Sequence, residues 1–204
     1  MGVPGSGKST LFRALTRTGT HGGQADLAVV PVPDPRLEVL ARIERSRRIV
    51  PAQVGFVDVP GGTSSARGIA RLREVDALAI VVRCFGPDAH PARELEEVRT
   101  ELLLADAAVV ASALEKAEKR ARGKPTEEVQ ALRRANEALE AETWLRDAGL
   151  SPEEQRHLRP LAPLTLKPSV VVANLEEGTE VPPELPEGTV GVYASIEAET
   201  VGMD

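Results

Sequence analysis

Residues Gly2-Val3-Pro4-Gly5-Ser6-Gly7-Lys8-Ser9-Thr10 have the form G-x-x-x-x-G-K-[ST]. Each fixed type has a job in binding phosphate. Gly2 and Gly7 admit backbone geometry and close approach that a side chain would block. Consecutive amide N–H groups from Gly5 through Ser6, Gly7, Lys8 and Ser9 to Thr10 can converge on phosphate oxygens. A helix opening near Lys8 adds the positive end of its dipole. The Lys8 ammonium can reach the β- and γ-phosphates and serve as the catalytic cation, and the Ser9 hydroxyl can ligate Mg²⁺.

A second group follows an apolar run at Gln53–Asp58. Asp58-Val59-Pro60-Gly61 reads D-x-x-G. Behind a phosphate loop, an Asp in this place holds the metal, usually through water, and the Gly61 amide can meet the γ-phosphate. A third group, Asn174-Leu175-Glu176-Glu177, follows the apolar run Ser169–Ala173. Asn174 can bond a purine N7, and Glu177 can read the donors of the base. A guanine site would carry N-K-x-D, whereas Leu175 and Glu177 stand in for Lys and Asp here. The longer acidic arm fits the paired donors of guanine poorly, so base choice is relaxed or shifted toward adenine.

The elements that must position these groups follow from periodicity. Helical spacing predicts helices over 8–17 and 36–47, and apolar runs predict strands over 26–32, 53–58, 78–85, 169–173 and 189–194. From Pro91 to His157 the composition turns to Ala, Leu, Glu, Lys and Arg. Leu95, Val98, Leu102 and Val109 keep helical spacing. A break at Gly123-Lys124-Pro125 makes this a coiled-coil-like hairpin, expected to continue to about Ala148. Ser151 as N-cap and Pro152 at the first helical position open a further short helix. The predicted fold is α/β: a mostly parallel sheet flanked by helices in the manner of a G-domain-like P-loop NTPase. Residues 1–90 and 159–204 would form the nucleotide-binding domain, and 91–158 the inserted hairpin.

Composition bounds the function. The 204 residues suffice for one sizeable core, and the net charge of −6 excludes a general polyanion binder, so nucleic-acid contact needs a local basic patch. Lys116, Lys119, Arg120, Arg122 and Lys124 at the hairpin tip form one such patch, and Arg42, Arg45, Arg47 and Arg48 another. With 2% aromatic residues the chain lacks base-stacking platforms. Cys84 is the only cysteine and lies in an apolar run, so it reads as a core thiol. No apolar stretch reaches the length of a membrane span and no signal-peptide pattern opens the chain, so the cytoplasm is the expected compartment and no membrane is involved.

These groups, taken in order, resemble the Obg-like ATPases of the YchF family, in the translation-factor class of P-loop NTPases. The resemblance also runs through Val29-Val30-Pro31-Val32-Pro33-Asp34-Pro35, Arg73-Glu74-Val75-Asp76-Ala77, Val81-Val82-Arg83-Cys84-Phe85, Thr100-Glu101-Leu102-Leu103-Leu104-Ala105-Asp106 and Ala194-Ser195-Ile196-Glu197. It implies a G-domain fold, binding of ATP or GTP with Mg²⁺ as cofactor, hydrolysis of ATP, and association with the ribosome, for which the basic hairpin tip would meet ribosomal RNA. It places the base site at Asn174, Leu175 and Glu177.

The chain also departs from the family. Gly5 stands where the family loop has Asn. The switch-I threonine would align near Gly22, with Thr20 the nearest hydroxyl. Gly62 replaces a hydrophobic residue after Gly61, and the glycine-rich segment that should follow is shortened. The strand that precedes the loop is reduced to Met1, and the C-terminal TGS domain is outside the sequence. The expected function is Mg²⁺-dependent purine-nucleotide binding with slow hydrolysis. The alternative is a non-hydrolysing, nucleotide-gated binding module.

Overall fold

A computed structural model describes residues 1–16, 26–59, 63 and 65–200. In chain order the elements are α1 (Lys8–Thr16), β1 (Asp26–Pro31), α2 (Arg36–Ile43), β2 (Gln53–Asp58), α3 (Ala66–Glu74) and β3 (Leu78–Cys84). There follow α4 (Pro91–Ala121), α5 (Glu127–Glu140), α6 (Pro152–Leu158), β4 (Ser169–Leu175), β5 (Val190–Val192) and α7 (Ala194–Thr200). The chain divides into two compact units, Met1–Gly7 with Gly61–Tyr193, and Lys8–Pro60 with Ala194–Asp204.

In the larger unit β3, β4 and β5 form a parallel sheet in that order, with Leu78 opposite Ser169 and Val172 opposite Val190. Leu78, Ile80, Val81 and Val82 of β3 are buried, the near-continuous apolar run expected of a parallel strand covered on both faces. Met1 lies beside β3. The Val81 N–H donates to the Met1 carbonyl at 2.7 Å, and the Met1 ammonium donates to the Ala79 carbonyl at 2.7 Å. Met1 thus bonds two backbone groups on one flank of β3.

The long helix α4 packs on β3 and turns back through Arg122 and Gly123, both left-handed (φ 48° and 80°), into α5. Val110 and Ala117 of α4 meet Val129, Leu132, Ala135 and Leu139 of α5 in a buried cluster completed by Leu145, Leu150 and Leu158. The caps are local. Thr126 accepts the Val129 N–H, and Ser151 with Glu154 forms a reciprocal capping box opening α6.

Several expectations need correcting. α5 stops at Glu140 rather than continuing to Ala148, because Glu142 turns left-handed (φ 55°) and sends Leu145 into the hairpin core. A helix that apolar periodicity did not suggest, α3, follows Ser65, whose hydroxyl accepts the Gly68 N–H at 3.0 Å. β4 continues through Asn174 and Leu175, so the candidate base residues begin inside the strand.

One buried ionic hub joins these parts. Asp106 of α4 is fully buried and accepts from the Arg73 guanidinium at 2.8 Å and from the Thr165 N–H and hydroxyl at 2.7 and 2.8 Å. Arg73 of α3 also donates to the carbonyls of Ala105 and Ala162, each at 3.0 Å. Lys167 donates to the carbonyls of Arg73 and Val75.

In the smaller unit β1 and β2 form an antiparallel pair, Asp26 opposite Asp58 and Pro31 opposite Gln53. α1 buries Leu11 and Phe12 and packs on this pair and on α7. α2 buries none of its residues and ends at Ile43, short of the predicted Arg47, where Arg45 turns left-handed (φ 50°). Among the described residues no helix is long and apolar enough to cross a membrane.

Candidate functional site

The phosphate-loop glycines hold the geometry their type predicts. Gly2, Gly5 and Gly7 have φ of 149°, 82° and 87°. A Cβ on Gly2 would stand 2.1 Å from the Val81 carbonyl oxygen. One on Gly7 would stand 2.1 Å from the Asn174 amide nitrogen, while one on Gly5 would meet nothing within 4 Å. Gly2 and Gly7 are thus fixed by close approach as well as dihedral, and Gly5 by dihedral alone. The Ser6 N–H donates to the Val3 carbonyl at 3.3 Å and tightens the loop.

Asn174, assigned from the sequence to a purine N7, reaches the loop itself. It is 4% exposed, lies in β4 opposite Arg83 and Val192, and donates from its side-chain amide to the Ser6 carbonyl at 3.1 Å. The loop and the Asn174 motif therefore meet directly. Leu175, opposite Cys84, is buried. Glu176 and Glu177 are exposed on the turn that follows. Glu176 accepts the Gly86 N–H at 3.4 Å and joins the ends of β3 and β4, a tie that motif reading missed. Also missed is Glu94 of α4, which accepts the backbone N–H of Arg83 at 2.9 Å and its guanidinium at 3.2 Å. The lone charge inside the apolar run Leu78–Phe85 was the available signal.

In the smaller unit Lys8 and Thr10, both half-buried, stand in the first turn of α1. The Ser9 hydroxyl between them donates to the Asp58 carboxylate, at the end of β2, at 2.7 Å. Two motifs far apart in the chain thus bring a hydroxyl and a carboxylate together, a hard-oxygen pair of the kind that takes Mg²⁺. Among the described residues no group of three or more His, Cys, Asp or Glu side chains is placed to hold a metal. Mg²⁺ is usually held by one or two protein oxygens together with phosphate and water. Gly61 lies outside the described residues, as do Thr20, Gly22 and Gly62. Burial, and then the charges of Glu94 and Glu184, push the Cys84 thiol up to about 11, which disfavours its thiolate.

No protein-family profile matches the chain. Curated relatives do. The ribosome-binding ATPase YchF of Haemophilus influenzae is 36% identical over 241 residues, covering 100% of this chain and 66% of the relative. The protein of the same name from Bacillus subtilis is 32% identical over 203 residues, covering 87% of this chain and 56% of the relative. The solved structure of the Schizosaccharomyces pombe YchF GTPase superposes with a TM-score of 0.82 at 26% identity, covering 98% of this chain and 66% of that one. The chain therefore spans at most 66% of the length of these relatives. The loop geometry, the Ser9–Asp58 and Ser6–Asn174 pairings, and sequence and structural likeness across nearly the whole chain agree: it belongs to the YchF family of P-loop NTPases.

Proposed function

We propose that this chain binds a Mg²⁺-complexed purine nucleoside triphosphate, ATP in preference to GTP, and hydrolyses it slowly. The observation that carries this is the approach of the Ser9 hydroxyl to the Asp58 carboxylate at 2.7 Å. In this reading Ser9 and Asp58 would hold the metal, while the loop amides and the Lys8 ammonium would take the β- and γ-phosphates. Bound there, Mg²⁺ would supply neutralisation of the charge that develops on the phosphates. Positioning does the rest, and no side chain need act as a base. Asn174 fixes the purine edge, Leu175 flanks the base and Glu177 reads its exocyclic donors, with the arm length that disfavours guanine.

The relatives are named as ribosome-binding, and association with the ribosome is the corresponding proposal here. Its support is the hairpin tip. Lys119 and Arg120 are paired with Glu115 and Glu128, whereas Lys116, Arg122 and Lys124 make no salt bridge among the described residues. They leave three cations for RNA phosphates. The cytoplasm is the proposed compartment.

The alternative, a module that binds without hydrolysing, is favoured by one observation. The segment after Gly61 runs into α3 within a few residues, with Gly68 already helical. Calorimetric titration with ATP and GTP, with Mg²⁺ and with chelator, combined with a single-turnover assay, tests both readings. The expected result is Mg²⁺-dependent ATP binding, at least tenfold weaker in Lys8→Ala through loss of a charge-assisted contact of about 1.5–3 kcal/mol. Binding unaffected by chelator or by Lys8→Ala overturns the site. Binding without turnover selects the module.

A further inference from the structure

The smaller unit turns an apolar face to solvent that the nucleotide motifs do not use. In α2, Leu37 and Ala41 are half-buried, four residues apart on one side of the helix. Val39, Leu40 and Ile43 form a second stripe, and it is exposed, Ile43 to 68% and Leu40 to 54%. A surface helix ordinarily carries charge on the side away from its packing face. Ile49 and Val50, which follow α2 outside any helix or strand, are exposed as well, Val50 to 63%. Single exposed apolar residues need no explanation, but a group this dense marks a place of association.

Positive charge is interleaved with this face. Between Arg36 and Val50 the chain carries five arginines and two glutamates, within a protein of net charge −6. Arg36 is paired with Asp34, and the Arg42 guanidinium donates to the Glu38 carbonyl at 3.4 Å. Arg45, Arg47 and Arg48 are exposed, and their side chains make no hydrogen bond or salt bridge among the described residues. Arg45 holds a left-handed backbone, φ 50°, that glycine would adopt without strain, so the backbone does not select this side chain.

A partner that satisfies this face offers carboxylates and hydrocarbon together. RNA offers charge but little to cover Leu40, Ile43 and Val50, and Glu38 and Glu44 would repel its phosphates. A bilayer surface is met by large side chains such as Trp and Phe, and Arg36–Val50 has no aromatic residue. Arginine forks pair with carboxylates through two parallel bonds. We propose that Val39–Val50 is a docking surface for an acidic amphipathic segment of a partner protein. Its apolar side chains would cover Val39, Leu40, Ile43 and Val50, and its carboxylates would meet Arg45, Arg47 and Arg48. The proposal stands apart from the nucleotide reading and survives or fails without it.

Fluorescence anisotropy on the full chain tests this. The probe is a labelled peptide of about 14 residues, with Leu at helical spacing and Glu at most other positions. One control peptide has Ser for each Leu, and another has Lys for each Glu. A single-stranded RNA of similar length and phosphatidylserine vesicles complete the set. The probe is expected to bind saturably in the micromolar range, and every control at least tenfold more weakly. Leu40→Ser with Ile43→Ser should weaken the probe at least tenfold, and so should Arg45→Gln with Arg47→Gln and Arg48→Gln. No saturable binding of the probe overturns the proposal. So does a control peptide that binds as tightly as the probe, tighter binding of the RNA or the vesicles, or unchanged affinity in either variant when folded. The comparison of ligands uses the unaltered chain, so it decides the matter even if a variant fails to fold.

Discussion

The Asn174 side-chain amide donates to the Ser6 carbonyl at 3.1 Å, joining the end of β4 to the phosphate loop. One side chain therefore serves the candidate base site and the loop fold together. Asn174→Ala should lower stability by about 1–3 kcal/mol, the cost of stranding a buried acceptor. It should also weaken ATP at least tenfold. Denaturant melts and calorimetry on the same preparation check both, and a loss of affinity at unchanged stability would separate the two roles.

The three loop glycines should differ in their tolerance of alanine. Gly5→Ala meets no atom and carries only the left-handed backbone cost of about 1–2 kcal/mol. Gly7→Ala must also displace Asn174 from Ser6, and Gly2→Ala meets the backbone of β3, which cannot yield as a side chain can. Gly2→Ala should cost more than about 3 kcal/mol. The expected order of melting temperatures is Gly5→Ala above Gly7→Ala above Gly2→Ala, and a different order would contradict the loop geometry.

Arg73 and Asp106 should be tightly coupled. Removing either alone strands a largely buried charge, so Arg73→Ala and Asp106→Ala should each cost about 3–5 kcal/mol. The double variant Arg73→Met, Asp106→Leu should recover much of that loss. A double-mutant cycle by urea melts measures the coupling, and simple additivity would show that the pair is not a unit.

With its thiol at about 11, Cys84 should alkylate slowly at pH 8. The raised value leaves about a hundredfold less thiolate than an ordinary thiol near 9 would have. The iodoacetamide rate should therefore climb about tenfold per pH unit from 8 to 10 and reach half its plateau only near 11. A plateau below pH 9 would mean that burial does not govern this thiol.

The phosphate loop, the hairpin and the Ser151 cap were legible in the sequence because each rests on local rules: glycine dihedrals, helical spacing, side-chain capping. What was not legible depends on distant residues. Asn174 is a poor strand former, and only its pairing with Arg83 and Val192 and its bond to Ser6 keep it in β4. α3 buries just Gly68 and Leu72 and carries a glycine in its interior, too sparse a stripe to read as a helix. The stop at Glu140 has no proline or glycine to mark it; burial of Leu145 and Leu150 decides it. The Ser9–Asp58 approach was foreseen in chemistry, since both types were assigned to the metal, but their separation in the chain is closed only by packing of α1 on β2.

The helix α4 runs unbroken for 31 residues from Pro91 to the reversal at Arg122, and Glu94 in its first turn ties it to β3 through Arg83. At 1.5 Å per residue it is a rod about 46 Å long. Its root is anchored twice, at Glu94 and again at Asp106, and beyond Asp106 its main support is α5 and the packing under it. It is therefore a rod clamped over about its first half, with an outer half of about 22 Å beyond Asp106. A tilt of about five degrees at Asp106 would sweep the far end through about 2 Å, so a small shift in the buried hub would be read out at the hairpin tip.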